Sequence, residues 1–358
     1  MAAVRTRILA GGGRWDEVRA AHEAVAAESP PQTSSQSPEW LAAASAHAHD
    51  DRTRWLVVED ERGPAAVLTY RLDERRVGPL RVRVVANDRR DDGLVAPRLS
   101  PADLRRALLA AQAEAGEPVD AIVLNGLRPG RAFLRLATAL PSGLQAEVRH
   151  GGNAVLPTTV PGDEWFARAG RNLRAALRKA RNRAERRGTL TITEATSPDE
   201  VAAGFDEFVA VEASGWKADA EALVNDPVDL ATAREFFLGA AACGRALVRT
   251  LRLDDRPAAV QLAWRAGRTL ELHKIAYDDA LADLSPSNLL LADLVRACCD
   301  RPDVDRIDLV TNQPWHARWH AEVHATYQAR EVLLRRPGGL VAAAGAAARA
   351  LRGRLPRT

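Results

Sequence analysis

The chain has 358 residues, of which 46 % are hydrophobic and 27 % are charged. This composition is too apolar for a disordered chain, and the length exceeds what one hydrophobic core usually holds, so we expect two domains. No apolar stretch reaches the roughly 20 residues of a membrane span. The N-terminus lacks the apolar segment of a secretory signal, and three cysteines do not make a disulfide framework. These features predict a cytoplasmic protein.

Positive charge is concentrated in two segments, although the formal net charge is only +3. Residues 168–187 hold nine basic residues against Glu185 alone, and residues 335–358 hold six arginines and no acid. The rest of the chain is therefore net acidic. This distribution predicts an anionic ligand or surface near at least one of the two segments.

A pattern in the first half of the chain returns in the second half. Residues 99–124 and 284–309 agree at ten of 26 positions without a gap, and both begin with Leu-Ser-Pro. Chance similarity in an alanine-, leucine- and arginine-rich chain is the alternative explanation. The repeat predicts two copies of one α/β unit. We expect an N-terminal domain over 1–155, a C-terminal domain over 156–335 and a basic helical tail over 336–358.

The elements of the second copy can be predicted in chain order. A strand over 189–196 precedes a helix with Ser197 at its N-cap, Pro198 at its first position and Glu200 completing a capping box. The further predicted elements are a helix over 229–244, strands over 245–253, 257–265 and 269–277, a helix over 286–299, a buried strand over 304–310 and a closing strand over 326–334. This order predicts an α/β sandwich in which each unit has a mixed, mostly antiparallel sheet flanked by helices.

Several motifs accompany this order of elements. They are the basic RNLRAALRKARNRAERRG (171–188), VEASGWK (211–217), HKIAYDD (273–279), SPSNLLL (285–291) and IDLV with PWHARW (307–319). Together they resemble the GNAT N-acyltransferase superfamily, and within it the CelD/FemAB-like branch, whose members carry two tandem GNAT units. The N-terminal copy matches only by topology and through QSPEWL (36–41), so we expect it to be degenerate. The chain has Ser287 where the family usually has glycine, and His316 where it usually has lysine.

The resemblance implies an acyl-CoA donor, most simply acetyl-CoA, and no metal. The pyrophosphate is expected at the Ser-Pro helix start, because free N–H groups and the helix dipole favour an anion there. The pantetheine arm is expected along the preceding strand. The candidate donor-binding residues are Leu272, Lys274, Ile275, Ser285, Ser287, Asn288 and Leu289. An ordinary helix cap is the alternative interpretation of the Ser-Pro pair, and it is the preferred one at Ser100 of the first copy.

Acyl transfer to an amine needs a base for the ammonium proton and an acid for the thiolate leaving group. The catalytic candidates are Glu212, His273, Tyr277 and Asp308. Glu212 lies on an otherwise apolar helix face, and Tyr277 is the candidate acid. Strand alternation places His273 on the same face as Tyr277. The alternatives are a surface glutamate balancing Lys217, a core tyrosine or histidine with satisfied polar atoms, and an aspartate with a buried partner.

Two further groups of residues are candidates for ligand contacts. The acceptor-binding candidates are Trp216, Lys217, Asp278, Trp315 and His316. The polyanion-binding candidates are Arg171, Arg174, Arg178, Lys179 and Arg181, which fit CoA phosphates, a nucleotide-sugar, a polysaccharide or an RNA. A solvated face with packed arginine stems is the alternative. His316, His320 and His324 recur at four-residue steps, but no cysteine or carboxylate is placed with them, so we expect no metal site.

These inferences predict a two-lobed N-acyltransferase that moves an acyl group from acyl-CoA to an amine of a small metabolite, amino acid or amino sugar. An aminoacyl-tRNA-dependent transferase of the FemAB kind is the first alternative, although the chain has no polar helical insertion long enough for the arm of those enzymes. A non-catalytic polyanion-binding protein is the second. Variants at Tyr277 and Glu212 should separate the enzyme from the binding protein.

Overall fold

A computed structural model describes residues 4–47, 50–87, 92–146, 152–214, 222–334 and 336–341. The chain forms two compact units, residues 1–149 with 325–358 and residues 150–324. Each unit contains one mixed sheet flanked by helices, which confirms the predicted fold class. Within the described ranges, no helix combines the length and the apolar character that a membrane crossing requires.

The first unit is built on a sheet with the strand order β1-β2-β3-β4-β6-β15-β7, in which β15 is Tyr327–Val332, and β5 pairs with β3 beside this path. Its elements before residue 150 are β1 (Arg5–Ala10), α1 (Trp15–Glu28), α2 (Pro38–His47), β2 (Thr53–Asp60), β3 (Gly63–Val77), β4 (Leu80–Ala86), β5 (Gly93–Val95), α3 (Pro101–Glu114), β6 (Ala121–Leu127), α4 (Ala132–Ala137) and β7 (Gln145–Ala146). Strand β6 runs parallel to β4. Side chains of β2, β3, β6, α3 and α4 form the larger apolar core of this unit.

The second unit has the strand order β14-β8-β13-β12-β11-β10-β9. Its elements are β8 (Asn153–Pro157), α5 (Gly162–Arg168), α6 (Arg171–Glu185), β9 (Leu190–Ala195), α7 (Pro198–Ala213), α8 (Pro227–Ala242), β10 (Ala246–Leu253), β11 (Arg256–Ala266), β12 (Thr269–Tyr277), α9 (Pro286–Cys299), β13 (Arg306–Asp308) and β14 (Glu322–His324). Helices α7 and α8 cover one face of this sheet, and α9 with α5 and α6 covers the other. Among the described strands of this sheet, β12 and β13 are the one parallel pair.

Local signals explain most of the element boundaries in this unit. The capping box of Ser197 and Glu200 begins α7 as predicted, because the two side chains satisfy backbone N–H groups that have no intrahelical acceptor. Asp226 caps α8, where its Oδ1 accepts from the Val228 N–H at 2.9 Å. The sequence predicts helices and strands here to within a few residues, since caps and periodicity are local properties.

The repeat corresponds to equivalent pieces of the two units. Residues 99–124 contain α3 and the start of β6, and residues 284–309 contain α9 and β13. In both copies the helix begins at the proline of a Ser-Pro pair, and the strand after the helix runs parallel to an earlier strand, β12 in the second copy and β4 in the first. Two tandem copies of one α/β unit therefore account for the sequence repeat.

In each sheet, one strand comes from a segment that the sequence assigned, wholly or in part, to the other unit. The closing strand predicted for the second unit is β15 (Tyr327–Val332), and it pairs with β6 and β7 of the first unit. Strand β8 begins before the expected boundary at 155 and pairs with β13 and β14 of the second unit. The expected divisions at 155 and 335 therefore differ from the observed units. Strand partners are not encoded locally, so alternation alone does not reveal this assignment. Residues 342–358 of the predicted basic tail lie outside the described residues.

Candidate active site

A fork between two parallel strands marks the sheet of the second unit. Strands β12 and β13 pair at only three positions, of which the last joins Glu271 to Asp308. Beyond this pair the chain stays hydrogen-bonded to β8 and leaves β12, since the Leu309 N–H donates to the Ala154 carbonyl at 2.9 Å and Val310 adopts a φ of 61°. Strand β12 continues to Tyr277 without a partner strand on this side among the described residues. The fork leaves an opening along the second half of β12.

A β-bulge in β12 determines which side chains face which helices. Ala263 pairs with Leu272 and Leu262 pairs with Lys274, so His273 is the extra residue. The His273 ring contacts the rings of Phe236 and Phe237 in α8, at 5.4 and 5.7 Å between centroids.

Tyr277 contributes to the apolar cluster on the α9 side of the sheet, with Leu284 and Leu289. The prediction that His273 and Tyr277 share a face is therefore wrong. The bulge shifts the two-residue alternation between them.

Two buried or partly buried titratable groups meet at the base of the fork. His273 Nε2 lies 3.5 Å from Glu271 Oε2, and the Glu271 side chain is only 3 % exposed. His273 Nε2 has no hydrogen-bond acceptor or donor within the described residues. The sequence analysis missed Glu271. The available signal was a single acid between Leu270 and Leu272, two leucines that both belong to the core.

Glu212 and Lys274 are brought together, although the sequence assigned them to different roles. Lys274 Nζ lies 2.8 Å from Glu212 Oε1, and the Leu223 N–H donates to Glu212 Oε2 at 2.7 Å. The Glu212 side chain is fully buried, whereas the Lys274 side chain is 29 % exposed. Because each Glu212 oxygen has a partner, this geometry favours a positioning role that ties α7 to β12. The catalytic and donor-binding roles predicted for the two residues stay predictions.

The aspartates predicted at this site are each held by neighbouring groups. Asp308 Oδ1 accepts from Asn153 Nδ2 at 3.1 Å and from the Val310 N–H at 2.7 Å, which fixes the turn after β13. Asp278 is buried, pairs with Arg256, and accepts from the Ala280 N–H at 3.0 Å. Asp278 thus caps the short 3-10 helix over Asp279–Leu284. These contacts are structural, and the catalytic role predicted for Asp308 and the acceptor-binding role predicted for Asp278 stay predictions.

The start of α9 differs from the start of α3 in the first unit. Ser285 has a left-handed φ of 52° and makes no side-chain cap, whereas Ser100 accepts from the Asp103 N–H at 3.1 Å. The Asn288 and Leu289 N–H groups donate to the Ser285 carbonyl. Of the predicted donor-binding N–H groups at this helix start, that of Ser287 has no acceptor within the described ranges.

The side chains of three other donor-binding candidates have structural surroundings. Leu272 and Leu289 are buried in apolar clusters, and Ile275 is half-buried and pairs with Gln261. Any contact of Leu272 or Leu289 with a donor therefore involves the backbone rather than the side chain.

The corresponding fork in the first unit is bridged. Strands β4 and β6 pair as far as Ala86 and Val123. Just beyond, Asn87 Nδ2 donates to the Asn125 carbonyl and the Asn125 N–H donates to Asn87 Oδ1, both at 2.9 Å. These two bonds hold the strands together where β12 and β13 diverge in the second unit. Only the second unit has an open fork among the described residues.

Tyr277 lies at the far end of β12 from Glu271 and His273. It is half-buried, and burial raises the pKa of its hydroxyl above the ordinary value of 10.0. With its side chain on the α9 face, it does not converge with the Glu271–His273 pair. The structure therefore brings His273 close to an acid that the sequence analysis missed, and separates it from the predicted acid Tyr277.

The remaining acceptor candidates have different surroundings. His316 is buried, its Nδ1 accepts from the Gln313 N–H at 3.1 Å, and the Thr311 backbone also hydrogen-bonds the ring. Burial lowers the pKa of His316. Trp315 is 48 % exposed, and Trp216 and Lys217 lie outside the described residues. Within the described residues, no three histidine, cysteine or acidic side chains cluster as metal ligands would.

Helix α6 is strongly amphipathic. Leu173, Ala180 and Ala184 form its buried stripe. The polyanion-binding candidates Arg171, Arg174, Arg178, Lys179 and Arg181 are all exposed. Arg181 lies 3.9 Å from Glu185, and the other four have no acidic partner in the described part of the chain. The helix therefore presents largely uncompensated positive charge.

The comparisons with known proteins agree with this architecture. Residues 171–319, less than half of the chain, match the family described as Acetyltransferase (GNAT) domain, and this range includes β12, β13 and α9. A comparison with curated proteins gave no match.

Solved structures with the same fold cover most of the chain. The crystal structure of FemX has 12 % identity and a TM-score of 0.54, over 86 % of this chain and 94 % of that one. The C-terminal domain of a putative lysylphosphatidylglycerol synthetase from Agrobacterium fabrum has 13 % identity and a TM-score of 0.54, over 91 % and 95 %. L-PGS from Bacillus licheniformis has 12 % identity and a TM-score of 0.55, over 86 % and 90 %. At these identities the likeness concerns the fold alone.

Proposed function

We propose that this protein, a tandem-domain member of the GNAT superfamily, is an N-acyltransferase with its active site in the second unit. It would transfer an acyl group, most simply acetyl, from acyl-CoA to an amine of a small metabolite, amino acid or amino sugar. The observation that carries the proposal is the open fork beside β12, with Glu271 and His273 at its base. The bridged fork of the first unit supports a site in the second unit only.

The residues along the fork are compatible with an acyl-CoA. On the side of β13, the edge of β12 from Leu272 to Tyr277 has no partner strand among the described residues, so its backbone can bind an extended amide-containing arm as another strand would. The N-terminus of α9 lies at the far end of this edge, where the helix dipole favours the pyrophosphate. This orientation directs the thioester toward the base of the fork. A cytoplasmic location, where acyl-CoA is available, is part of the proposal.

The Glu271–His273 pair supplies the proton acceptor in this scheme. An amine arrives mostly as an ammonium ion, and it must lose a proton before its nitrogen attacks the thioester carbonyl carbon. The His273 ring takes this proton, and the Glu271 carboxylate, which lies 3.5 Å from the buried Nε2, stabilises the imidazolium that forms. The new C–N bond then replaces the C–S bond, and the nitrogen loses its second proton, which the thiolate of CoA takes up as it leaves.

Substitution of the pair tests this function. We expect His273→Gln and Glu271→Gln to lower kcat for acetyl transfer by about 100-fold, the lower range for loss of a general base. Acetyl-CoA binding, followed by calorimetry, should persist in both variants. His324→Gln, at a 40 % exposed histidine in β14, is the matched control and should leave turnover unchanged. Full turnover in His273→Gln, or no binding of any acyl-CoA by the unaltered protein, would overturn the proposal.

An aminoacyl-tRNA donor at the same site is the second candidate. The observation that favours it is the row of Arg171, Arg174 and Arg178 on α6, whose spacing of three and four residues places the three side chains on one helix flank. Uncompensated cations in such a row suit the phosphates of a nucleic acid. Transfer of a radiolabelled aminoacyl group from charged tRNA, together with failure of acetyl-CoA to bind, would favour this candidate over the first.

A further inference from the structure

The flank of α6 that faces the start of α9 carries a second set of cations. Ala180 and Ala184 belong to the same apolar cluster as Leu284 and Leu289, so α6 packs beside the 3-10 helix and the first turn of α9. Just after α6, Arg187 Nη1 lies 3.2 Å from Asp283 Oδ1 in that 3-10 helix. The side of α6 that is in line with Arg187 therefore faces the N-terminus of α9. A CoA nucleotide would lie at this end of the fork.

Lys179 and Arg183 lie on this flank, because they precede Arg187 by two turns and one turn of helix. The three residues span about 12 Å along the helix axis. Arg183 is half-buried, and its Nε is buried without a hydrogen-bond acceptor within the described residues. Lys179 has no ion-pair partner there either. The Arg183 guanidinium also has no acidic partner among the described residues, so an anion that reaches its terminal N–H groups would supply hydrogen bonds that the protein does not.

We propose that Arg183 and Lys179 bind the 3′-phosphate of the CoA nucleotide. This inference rests on the proposed function and adds the recognition of one part of the donor. The 3′-phosphate is a monoester on the ribose, separate from the pyrophosphate, so it needs its own cations. A phosphomonoester carries about −1.5 to −2 charges near neutral pH and accepts strong charge-assisted hydrogen bonds from guanidinium groups. The half-buried Arg183 supplies donors of that kind, and Lys179 adds a second positive charge one turn away.

Paired ligands that differ only in this phosphate provide the test. Calorimetry on the full chain would compare acetyl-CoA with 3′-dephospho-acetyl-CoA for the unaltered protein, Arg183→Gln, Arg183→Lys and Lys179→Gln. We expect the unaltered protein to bind acetyl-CoA at least about tenfold more tightly than the dephospho ligand, as loss of a charged hydrogen bond predicts. Arg183→Gln should reduce this ratio of affinities to about one. Arg183→Lys and Lys179→Gln should each give a ratio between one and that of the unaltered protein.

The experiment has one control variant, and it separates a failure of the phosphate site from a failure of the proposed function. Arg168→Gln, at an exposed arginine of α5 outside this flank, should keep the full ratio. Equal binding of the two ligands by the unaltered protein, or an unchanged ratio in Arg183→Gln, would overturn the phosphate site and leave the proposed transferase intact. If neither ligand binds the unaltered protein, the proposed function fails, and the phosphate site fails with it. Dephospho-acetyl-CoA binding of normal strength in Arg183→Gln would also show that this variant is folded.

Discussion

The ion pair of Glu212 and Lys274 fixes α7 to β12 next to the bulge. Removal of the lysine in Lys274→Met would leave a fully buried carboxylate whose one remaining partner among the described residues is the Leu223 N–H. We expect a loss of about 3 kcal/mol, the lower value for a broken buried pair, because Lys274 is partly exposed. Thermal unfolding measures this loss. The double variant Glu212→Gln with Lys274→Met should be more stable than Lys274→Met alone, and equal stability of Lys274→Met and the unaltered protein would contradict the argument.

His22 makes the first unit sensitive to acid. Its ring is buried, and Nε2 lies 2.9 Å from the Gln36 carbonyl oxygen. Burial lowers the pKa of His22 below 6.5, so the folded state favours the neutral ring. The stability that this provides is present above pH 6.5, the unfolded value, and is lost as the pH falls through the lower folded value.

This argument predicts a smaller acid-induced loss of stability in His22→Gln, since the glutamine amide can donate to the Gln36 carbonyl but does not titrate. Melting temperatures at pH 7.5 and pH 5.5 measure the difference. An identical shift in the variant and the unaltered protein would exclude His22 as its source. Some shift should remain in the variant, because burial also lowers the pKa of His316 in the second unit.

Single side chains in β12 show where sequence-based inference about the site succeeds and fails. The sequence predicts that His273 and Lys274 lie in a strand beside the site, because the strand pattern is local. It does not predict that both lie on the α7–α8 side, since the bulge depends on pairing with Leu262 and Ala263. The pairing of His273 with Glu271, by contrast, follows the two-residue alternation of the strand, so the sequence contained the signal for it.

At the scale of elements, the starts of α3 and α9 are the clearest comparison. Ser100 caps α3 with its side chain, whereas Ser285 does not cap α9. We expect Ser100→Ala to lower the free energy of unfolding by about 1 kcal/mol, as loss of an N-cap usually does. Ser285→Ala should cost less than about 0.5 kcal/mol, because no cap bond is lost. Calorimetric unfolding of both variants tests this, and equal losses would mean that the two helix starts are equivalent.

The starts of helices can be predicted from neighbouring residues, whereas the fork between β12 and β13 cannot. Helices α7 and α9 begin at residues that the sequence identifies, because caps and proline act within one turn. The fork depends on a left-handed Val310 and on hydrogen bonds to β8, a strand about 150 residues earlier in the chain. A motif search around residue 308 therefore finds a strand but does not reveal that it ends early and diverges from β12.

At the scale of the whole molecule, the two units share a topology but differ at the equivalent fork. Asn87 and Asn125 bridge it in the first unit, whereas β12 and β13 stay apart in the second. A repeated fold with one open fork is consistent with one catalytic unit and one structural unit. The sequence repeat predicts the duplication, but the asymmetry depends on amide side chains that no motif singles out.

The assignment of β8 and β15 predicts which pieces of the chain fold independently. Residues 150–324 contain every strand of the second sheet, so we expect this fragment to fold and to unfold cooperatively.

Residues 156–335, the domain expected from the sequence, lack the first residues of β8 and carry β15, whose partners are in the first unit. The lost residues include Asn153, which holds Asp308. We expect this second fragment to be unfolded or to melt at a much lower temperature. Thermal unfolding followed by circular dichroism would compare the melting temperatures of the two fragments. Equal stability would show that β8 is dispensable, and that the boundary drawn from the sequence is sufficient for folding.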